Sequence, residues 1–99
     1  MQIDVQESDD IVVITVNGDI EMMTIKTFKQ ILFEAGQNID KDIEIDLTEV
    51  DYIDSSGVGV LISLLKLQNK KGKSLRIDKV SSKVLNVLKL SSLSDVFNL

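Results

Sequence analysis

The 99-residue sequence contains neither cysteine nor histidine. Without cysteine the chain has no disulfide framework and no thiolate nucleophile, and without histidine it lacks an imidazole base and the usual ligands of zinc. An enzyme that used a serine nucleophile would need an adjacent base, which the serine pair at residues 55 and 56 lacks. We therefore expect a protein that is not an enzyme and that binds no cofactor.

Long apolar runs are also absent. The longest, residues 58–65, is interrupted by Gly59 and Ser63, and it is far shorter than the roughly 20 residues that span a bilayer. The first four residues lack the basic and apolar segments of a secretory signal. We therefore expect a cytoplasmic protein without a membrane partner. A hydrophobic content of 43% is sufficient for one domain with its own core over residues 1–99.

Positive charge is scarce relative to negative charge, which gives a formal net charge of −5 at pH 7. A general nucleic-acid-binding protein would carry a basic surface, so we expect no direct nucleic-acid partner. Seven acidic residues lie between residues 40 and 54, and a basic cluster follows at Lys66, Lys70, Lys71, Lys73 and Arg76. Both segments are either solvated surfaces or surfaces that steer a protein partner.

The N-terminal residues predict a hairpin. Apolar and polar side chains alternate over residues 3–5, and turn-like residues follow at 7–10. Residues 11–16 are β-branched throughout, which is typical of a central strand covered on both faces, and Gly18 follows the end of this strand.

A first helix is predicted after a loop at residues 19–23. Thr24 can cap its N-terminus, and Gly36 is expected to end it as a C-cap. Met22 and Met23 either fill the core or form an adaptable contact surface, and their polar surroundings favour contact. The apolar residues with helical spacing are Ile25, Phe28, Leu32 and Ala35.

A strand with one buried face is predicted over residues 43–47, where apolar and acidic residues alternate. Asp40, Asp42 and Glu44 have the spacing of the first ligands in a calcium-binding loop. However, Ile45 occupies the sixth position, where the sharp turn of such a loop needs glycine. We therefore expect no metal site.

The residues Asp-Ser-Ser-Gly-Val-Gly-Val-Leu at 54–61 predict a second helix that begins near Ser56. Aspartate and serine are preferred N-caps, and Ser55 is expected to be exposed at a position suited to phosphate. Gly57 and Gly59 each cost about 1 kcal/mol relative to alanine in a helix interior. They therefore indicate a close backbone approach to a neighbouring strand or to a partner. The residues expected in the core are Val60, Leu61 and Leu64.

The last third of the chain predicts a strand over residues 74–78 and a helix that Ser81 or Ser82 can cap. Residues 93–99 are expected to form a short docked helix, because their apolar side chains have helical spacing. The side chains expected to point inward in these two helices are Val84, Leu85, Leu88, Leu93, Val96 and Phe97.

The order of these elements predicts a single small α/β domain. Its sheet is expected to be mostly parallel, with four to five strands including the N-terminal hairpin strand, and to carry three to four helices. The loop at residues 19–23 and the residues before Ser55 both follow strands, so they should open at the same end of the sheet.

Four segments, at residues 18–21, 45–47, 52–61 and 72–75, occur in an order and spacing that resemble the STAS domain, specifically bacterial anti-sigma factor antagonists. The resemblance covers essentially the full length. It implies that an anti-sigma factor, which is also a serine kinase, binds this protein and phosphorylates it, and that a phosphatase restores the binding form. Other STAS domains are not known to be phosphorylated, so a constitutive interaction module in a scaffold or a transporter-associated complex is the alternative.

The resemblance also implies roles for individual residues. Ser55 corresponds to the phosphoacceptor, Asp54 to the carboxylate that orients it, and Ser56 to the flanking hydroxyl. Glu21 stands where the family often has aspartate in the loop after the second strand. With Gly57 and Gly59, the residues other than Ser55 form the expected partner-binding set.

Overall fold

The computed structural model describes residues 1–99 and confirms a small α/β domain with four strands and three helices. In chain order the elements are β1 Gln2–Glu7, β2 Ile11–Asn17, α1 Ile25–Asn38, β3 Asp42–Glu49, α2 Ser55–Lys70, β4 Leu75–Val80 and α3 Ser82–Leu90. None of the three helices is both long enough and apolar enough to cross a membrane.

The four strands form one sheet in the order β1-β2-β3-β4. β1 is antiparallel to β2, as the predicted hairpin requires, and the other two pairs are parallel. A row of paired apolar residues crosses the sheet through Val5, Ile14, Ile45 and Ile77. Because strands β2 to β4 are added in one direction through right-handed connections, α1 and α2 cover the same face.

The prediction that β2 is covered on both faces is wrong. Val12, Ile14 and Val16 are fully buried, whereas the residues that alternate with them are only half-buried. The buried set belongs to a single core cluster that also includes residues of all three helices. The opposite face carries no helix, because both crossover connections pass on the core side.

The expected C-cap at Gly36 is also wrong, since α1 continues to Asn38. A Cβ atom at Gly36 would lie 2.6 Å from Leu64 Cδ1 and 3.0 Å from Leu67 Cδ2, so this glycine permits the close packing of α1 on α2. The Lys71 ammonium donates instead to the carbonyl groups of Gly36 and Ile39 and satisfies the end of α1.

Residues 93–99 form turns rather than the predicted helix, although they do dock on the core. Phe97 is 2% exposed, whereas Val96 is 47% exposed and therefore does not pack inward. Ser92 adopts a left-handed backbone conformation with φ of 59°, which ends the helical path after α3. The backbone hydrogen bonds among the residues that follow have mixed spacings and do not continue a single helical pattern.

Candidate functional site

Two loops meet at the carboxyl ends of β2 and β3. Ile20 and Ile53 form an isolated parallel bridge, in which Ile20 N donates to Tyr52 O at 2.9 Å and Asp54 N donates to Ile20 O at 3.0 Å. This bridge confirms the expectation that both loops open at the same end of the sheet. It places the 19–24 segment beside the start of α2.

Thr24 closes the first of these loops rather than capping α1 with its side chain. It lies at the N-cap position, but its side chain makes no capping hydrogen bond. Thr24 Oγ1 donates to Asp19 O at 2.7 Å and accepts from Glu21 N at 3.1 Å. The half-buried Glu21 accepts from Met23 N through Oε1 at 3.1 Å, so its carboxylate helps to fix the same turn.

Asp54 is the N-cap of α2, and its backbone is extended. Its Oδ1 atom accepts from Ser56 N at 3.0 Å, from Ser56 Oγ at 2.5 Å and from Gly57 N at 3.2 Å. The cap satisfies two N–H groups that would otherwise have no partner in the first turn. It therefore fixes where the helix begins.

The carboxylate of Asp54 makes no hydrogen bond with the Ser55 hydroxyl, so the orienting role that the resemblance implied has no direct contact behind it and stays a prediction. The reason is the geometry of the cap: an N-cap side chain reaches the second and third residues of the helix, which here are Ser56 and Gly57. The Ser55 side chain, on the first helical residue, is exposed and has no hydrogen-bond partner within the chain.

The pKa of the Asp54 carboxyl is lowered from its usual range. The largest cause is the hydrogen bond from the Ser56 hydroxyl; desolvation comes next and opposes it, and the N–H groups of Gly57, Ser56 and Met22 lower the pKa further. Asp54 is therefore an anion throughout the neutral range. The site places this negative charge directly beside Ser55.

The helix begins at Ser55, one residue earlier than predicted, and Ser55 is exposed as expected. The expected burial of Val60, Leu61 and Leu64 is also confirmed. The sequence therefore located both the exposed hydroxyl and the buried side of α2.

The two glycines of α2 have different surroundings. A Cβ atom at Gly57 would lie 2.5 Å from Ile20 Cγ2 and 2.7 Å from Ile53 Cγ1, so only glycine lets the helix approach the bridge between the loops. A Cβ atom at Gly59 would meet nothing within 4 Å. Packing within the chain thus explains Gly57 and gives no reason for Gly59.

Exposed apolar side chains surround this end of the sheet. Met22 and Met23 are 80% and 86% exposed, so they do not fill the core. Tyr52 is 51% exposed and was missed as a site residue. Its position could have been found from its neighbour, because side chains of an extended segment alternate and Ile53 is buried.

No group of three or more potential ligand side chains is arranged to hold a metal ion. Two of the carboxylates that have calcium-like spacing make contacts within the chain instead. Asp42 accepts a hydrogen bond from Ser74 N at 2.9 Å, and Glu44 forms an ion pair with Arg76. At the candidate site the chain offers an exposed hydroxyl but no free base to activate it.

The profile of one family, described as "Mlab, STAS domain", matches residues 3–99. The chain thus belongs to the STAS domain family, which is the family that the four sequence segments predicted. The anti-sigma-B factor antagonist of Bacillus subtilis (strain 168) is 23% identical over 99 residues, an alignment that covers 100% of this chain and 90% of that protein.

Two solved structures have the same fold. The anti-sigma factor antagonist SpoIIAA in its unphosphorylated form matches with a TM-score of 0.81 at 18% identity, over 95% of this chain and 84% of that one. SpoIIAA of Bacillus in its phosphorylated form matches with a TM-score of 0.74 at 17% identity, over 95% and 86%. At these identities the likeness establishes the fold alone.

Proposed function

We propose that this protein is an anti-sigma factor antagonist. Its unphosphorylated form binds an anti-sigma factor that is also a serine kinase, and this binding frees a sigma factor. The observation that carries the proposal is Ser55, an exposed and unpartnered hydroxyl at the first residue of α2, beside an anionic carboxylate. Membership of the STAS family and similarity to the Bacillus subtilis antagonist support it.

The partner binds a docking surface that consists of Met22, Met23, Tyr52, Ser55 and Gly59. The two methionines and the tyrosine offer apolar area, and methionine adapts readily to a partner's shape. Gly59 lets the backbone of the partner approach the exposed face of α2 without meeting a side chain.

Four further residues shape this surface. Glu21 contributes a carboxylate at its edge and fixes the turn that carries the methionines. The start of the helix and its approach to the bridge are fixed by the half-buried Asp54, the exposed Ser56 and the buried Gly57.

Phosphorylation of Ser55 releases the partner. A phosphoserine carries about −1.5 to −2 charges at neutral pH. The N–H groups of Ser56 and Gly57 already donate to Asp54 and do not become available to the phosphate. A bound partner would have to bury the phosphate beside the Asp54 carboxylate, so desolvation and like-charge repulsion oppose binding.

The fold persists in both states, because Ser55 is exposed and takes no part in the core. The existence of SpoIIAA structures in unphosphorylated and phosphorylated forms, both with this fold, supports a switch of this kind. A metal-dependent phosphatase then removes the phosphate and restores the binding form.

Capture of native partners tests the proposal. The tagged wild-type protein is incubated with a cytoplasmic extract of the source bacterium, and the bound proteins are identified by mass spectrometry. We expect an anti-sigma factor with a kinase domain, and we expect added ATP to release it. Retention of that partner in the presence of ATP would contradict the switch.

A constitutive interaction module in a scaffold or transporter-associated complex is the second candidate. It is favoured by the structural roles of Asp54 and Gly57, which a helix cap and tight packing explain without any phosphorylation. Intact mass after incubation with the captured partner and ATP separates the two candidates. A gain of one phosphate supports the antagonist, and an unchanged mass supports the constitutive module.

A further inference from the structure

Two adjacent serines, Ser55 and Ser56, are exposed in the first turn of α2, so exposure does not determine which of them a kinase phosphorylates. Their hydrogen bonding differs. Ser56 Oγ donates to Asp54 Oδ1 at 2.5 Å, whereas the Ser55 hydroxyl has no partner in the chain. From this asymmetry we propose that Asp54 directs phosphorylation to Ser55 by binding the hydroxyl of Ser56. The inference rests on the proposed function.

The chemistry of the transfer makes this difference matter. The acceptor Oγ forms a bond to the γ-phosphorus of ATP, the bond from that phosphorus to the oxygen of the departing ADP breaks, and the hydroxyl proton passes to a base of the kinase. Catalysis depends chiefly on positioning and on stabilising charge. Ser55 can present its hydroxyl to that base directly, whereas Ser56 must first give up its hydrogen bond to the carboxylate.

Electrostatics act in the same direction. A γ-phosphoryl group in line with Ser56 Oγ would come close to the Asp54 carboxylate, because that carboxylate lies 2.5 Å from the same oxygen. Both groups are negative, so their repulsion disfavours transfer to Ser56. If Asp54 instead acted as a base that takes the proton of the Ser56 hydroxyl, the phosphate would be found on Ser56.

The hydrogen bond itself is tested without a kinase. The carboxyl carbon of Asp54 is titrated by nuclear magnetic resonance in the wild type, Ser56→Ala and Ser55→Ala. The Ser56 hydroxyl is the largest cause of the lowered pKa of Asp54, so Ser56→Ala should raise that pKa and Ser55→Ala should leave it unchanged. A shift in Ser55→Ala alone would overturn the inference.

The selectivity is tested with the kinase recovered with the wild-type protein and with ATP, and the phosphate is located by fragmentation mass spectrometry. In the wild type we expect Ser55 to be favoured over Ser56 by about tenfold or more, the factor that corresponds to a charge-assisted hydrogen bond. Asp54→Ala should bring the two serines to comparable levels. Combined with Ser55→Ala, it should give phosphorylation at Ser56 that Ser55→Ala alone does not show.

Two variants control for the loss of the helix cap. Asp54→Asn retains a cap and an accepting oxygen but loses the charge, so its preference for Ser55 should be smaller than that of the wild type and larger than that of Asp54→Ala. Asp54→Gly removes the carboxylate at a small cost in helix stability, and it should lose the preference as Asp54→Ala does. Phosphorylation of Asp54→Ala and Asp54→Gly at Ser55 alone would overturn this inference and leave the proposed function intact. A wild type that takes no phosphate would overturn the proposed function itself.

Discussion

Gly57 and Gly59 are two residues apart in α2 and have opposite surroundings. Gly57→Ala forces a Cβ atom to within 2.5 Å of Ile20 and 2.7 Å of Ile53, and such overpacking typically costs about 1–3 kcal/mol. Gly59→Ala meets open space, so it should stabilise the fold by about 1 kcal/mol through its greater helix propensity. Urea unfolding of both variants measures these opposite changes.

The Gly57→Ala and Gly59→Ala variants also separate effects on folding from effects on binding. Gly59→Ala should weaken the anti-sigma factor complex although it stabilises the domain, since the added methyl group lies on the docking surface. Unchanged affinity in a stabilised Gly59→Ala variant would remove Gly59 from the interface. Equal destabilisation by both substitutions would contradict the packing described for Gly57.

Asp54 links stability to pH. Its pKa in the folded protein lies below the value of about 3.9 expected for an unfolded chain. The ionised cap therefore stabilises the fold at pH above that unfolded value, and this contribution is lost as the pH falls through the lower pKa of the folded state. The free energies of unfolding of the wild type and Asp54→Asn should converge over this acidic range. A constant difference across it would contradict the cap.

Among the elements, α1 depends on a contact from outside the helix. Lys71 donates to the carbonyl groups of Gly36 and Ile39 at the end of α1. Lys71→Met retains most of the apolar stem but loses these hydrogen bonds, and it should lower the free energy of unfolding by about 1–2 kcal/mol. Lys70→Met is the matched control, because Lys70 is exposed on the same turn. Equal effects of the two substitutions in urea unfolding would argue against the contact.

The helices and strands also show which structural features local sequence patterns can predict. Alternation placed β3, and the cap signal placed the start of α2 within one residue, because both patterns are local. Gly36 was misassigned because the close approach of Leu64, which lies on another helix, cannot be read from the neighbours of Gly36. The turns at residues 93–99 were misassigned because helical spacing records burial and not the left-handed backbone at Ser92.

Some features of the candidate site can likewise be predicted from local sequence patterns, and others depend on the tertiary structure. The exposure of Ser55 follows from local capping rules, and those rules also predict that an N-cap carboxylate bonds the second and third residues. The approach of Glu21 and the methionines to α2 depends on the Ile20–Ile53 bridge, which only the register of β2 and β3 establishes. The order of the elements predicted that both loops open at the same end of the sheet, whereas the direct contact between them could not be predicted from the sequence.

At the scale of the whole molecule, binding should depend on apolar side chains that contribute nothing to the core. The free energy of unfolding of the double variant Met22→Ser and Met23→Ser should lie within about 0.5 kcal/mol of the wild-type value, as is usual for substitutions of exposed residues. It should bind the anti-sigma factor about tenfold more weakly, which corresponds to about 1.4 kcal/mol.

Leu90→Ser is the control for this double variant, since Leu90 is 79% exposed at the end of α3, outside the docking surface. It should change neither stability nor affinity. Calorimetric titration gives the affinity in each case. A loss of affinity in Leu90→Ser as large as in the methionine variant would show that exposed apolar area in general, and not this surface, determines binding.

The affinity of the captured anti-sigma factor kinase for two forms of this protein, unphosphorylated and phosphorylated at Ser55, is the most direct measurement of the switch. Titration should show at least about tenfold weaker binding of the phosphorylated form, a difference of about 1.4 kcal/mol or more. Ser55→Ala should bind like the unphosphorylated wild type and resist release by ATP. Equal affinity of the two forms, or release of Ser55→Ala by ATP, would contradict the assignment of Ser55 as the switch.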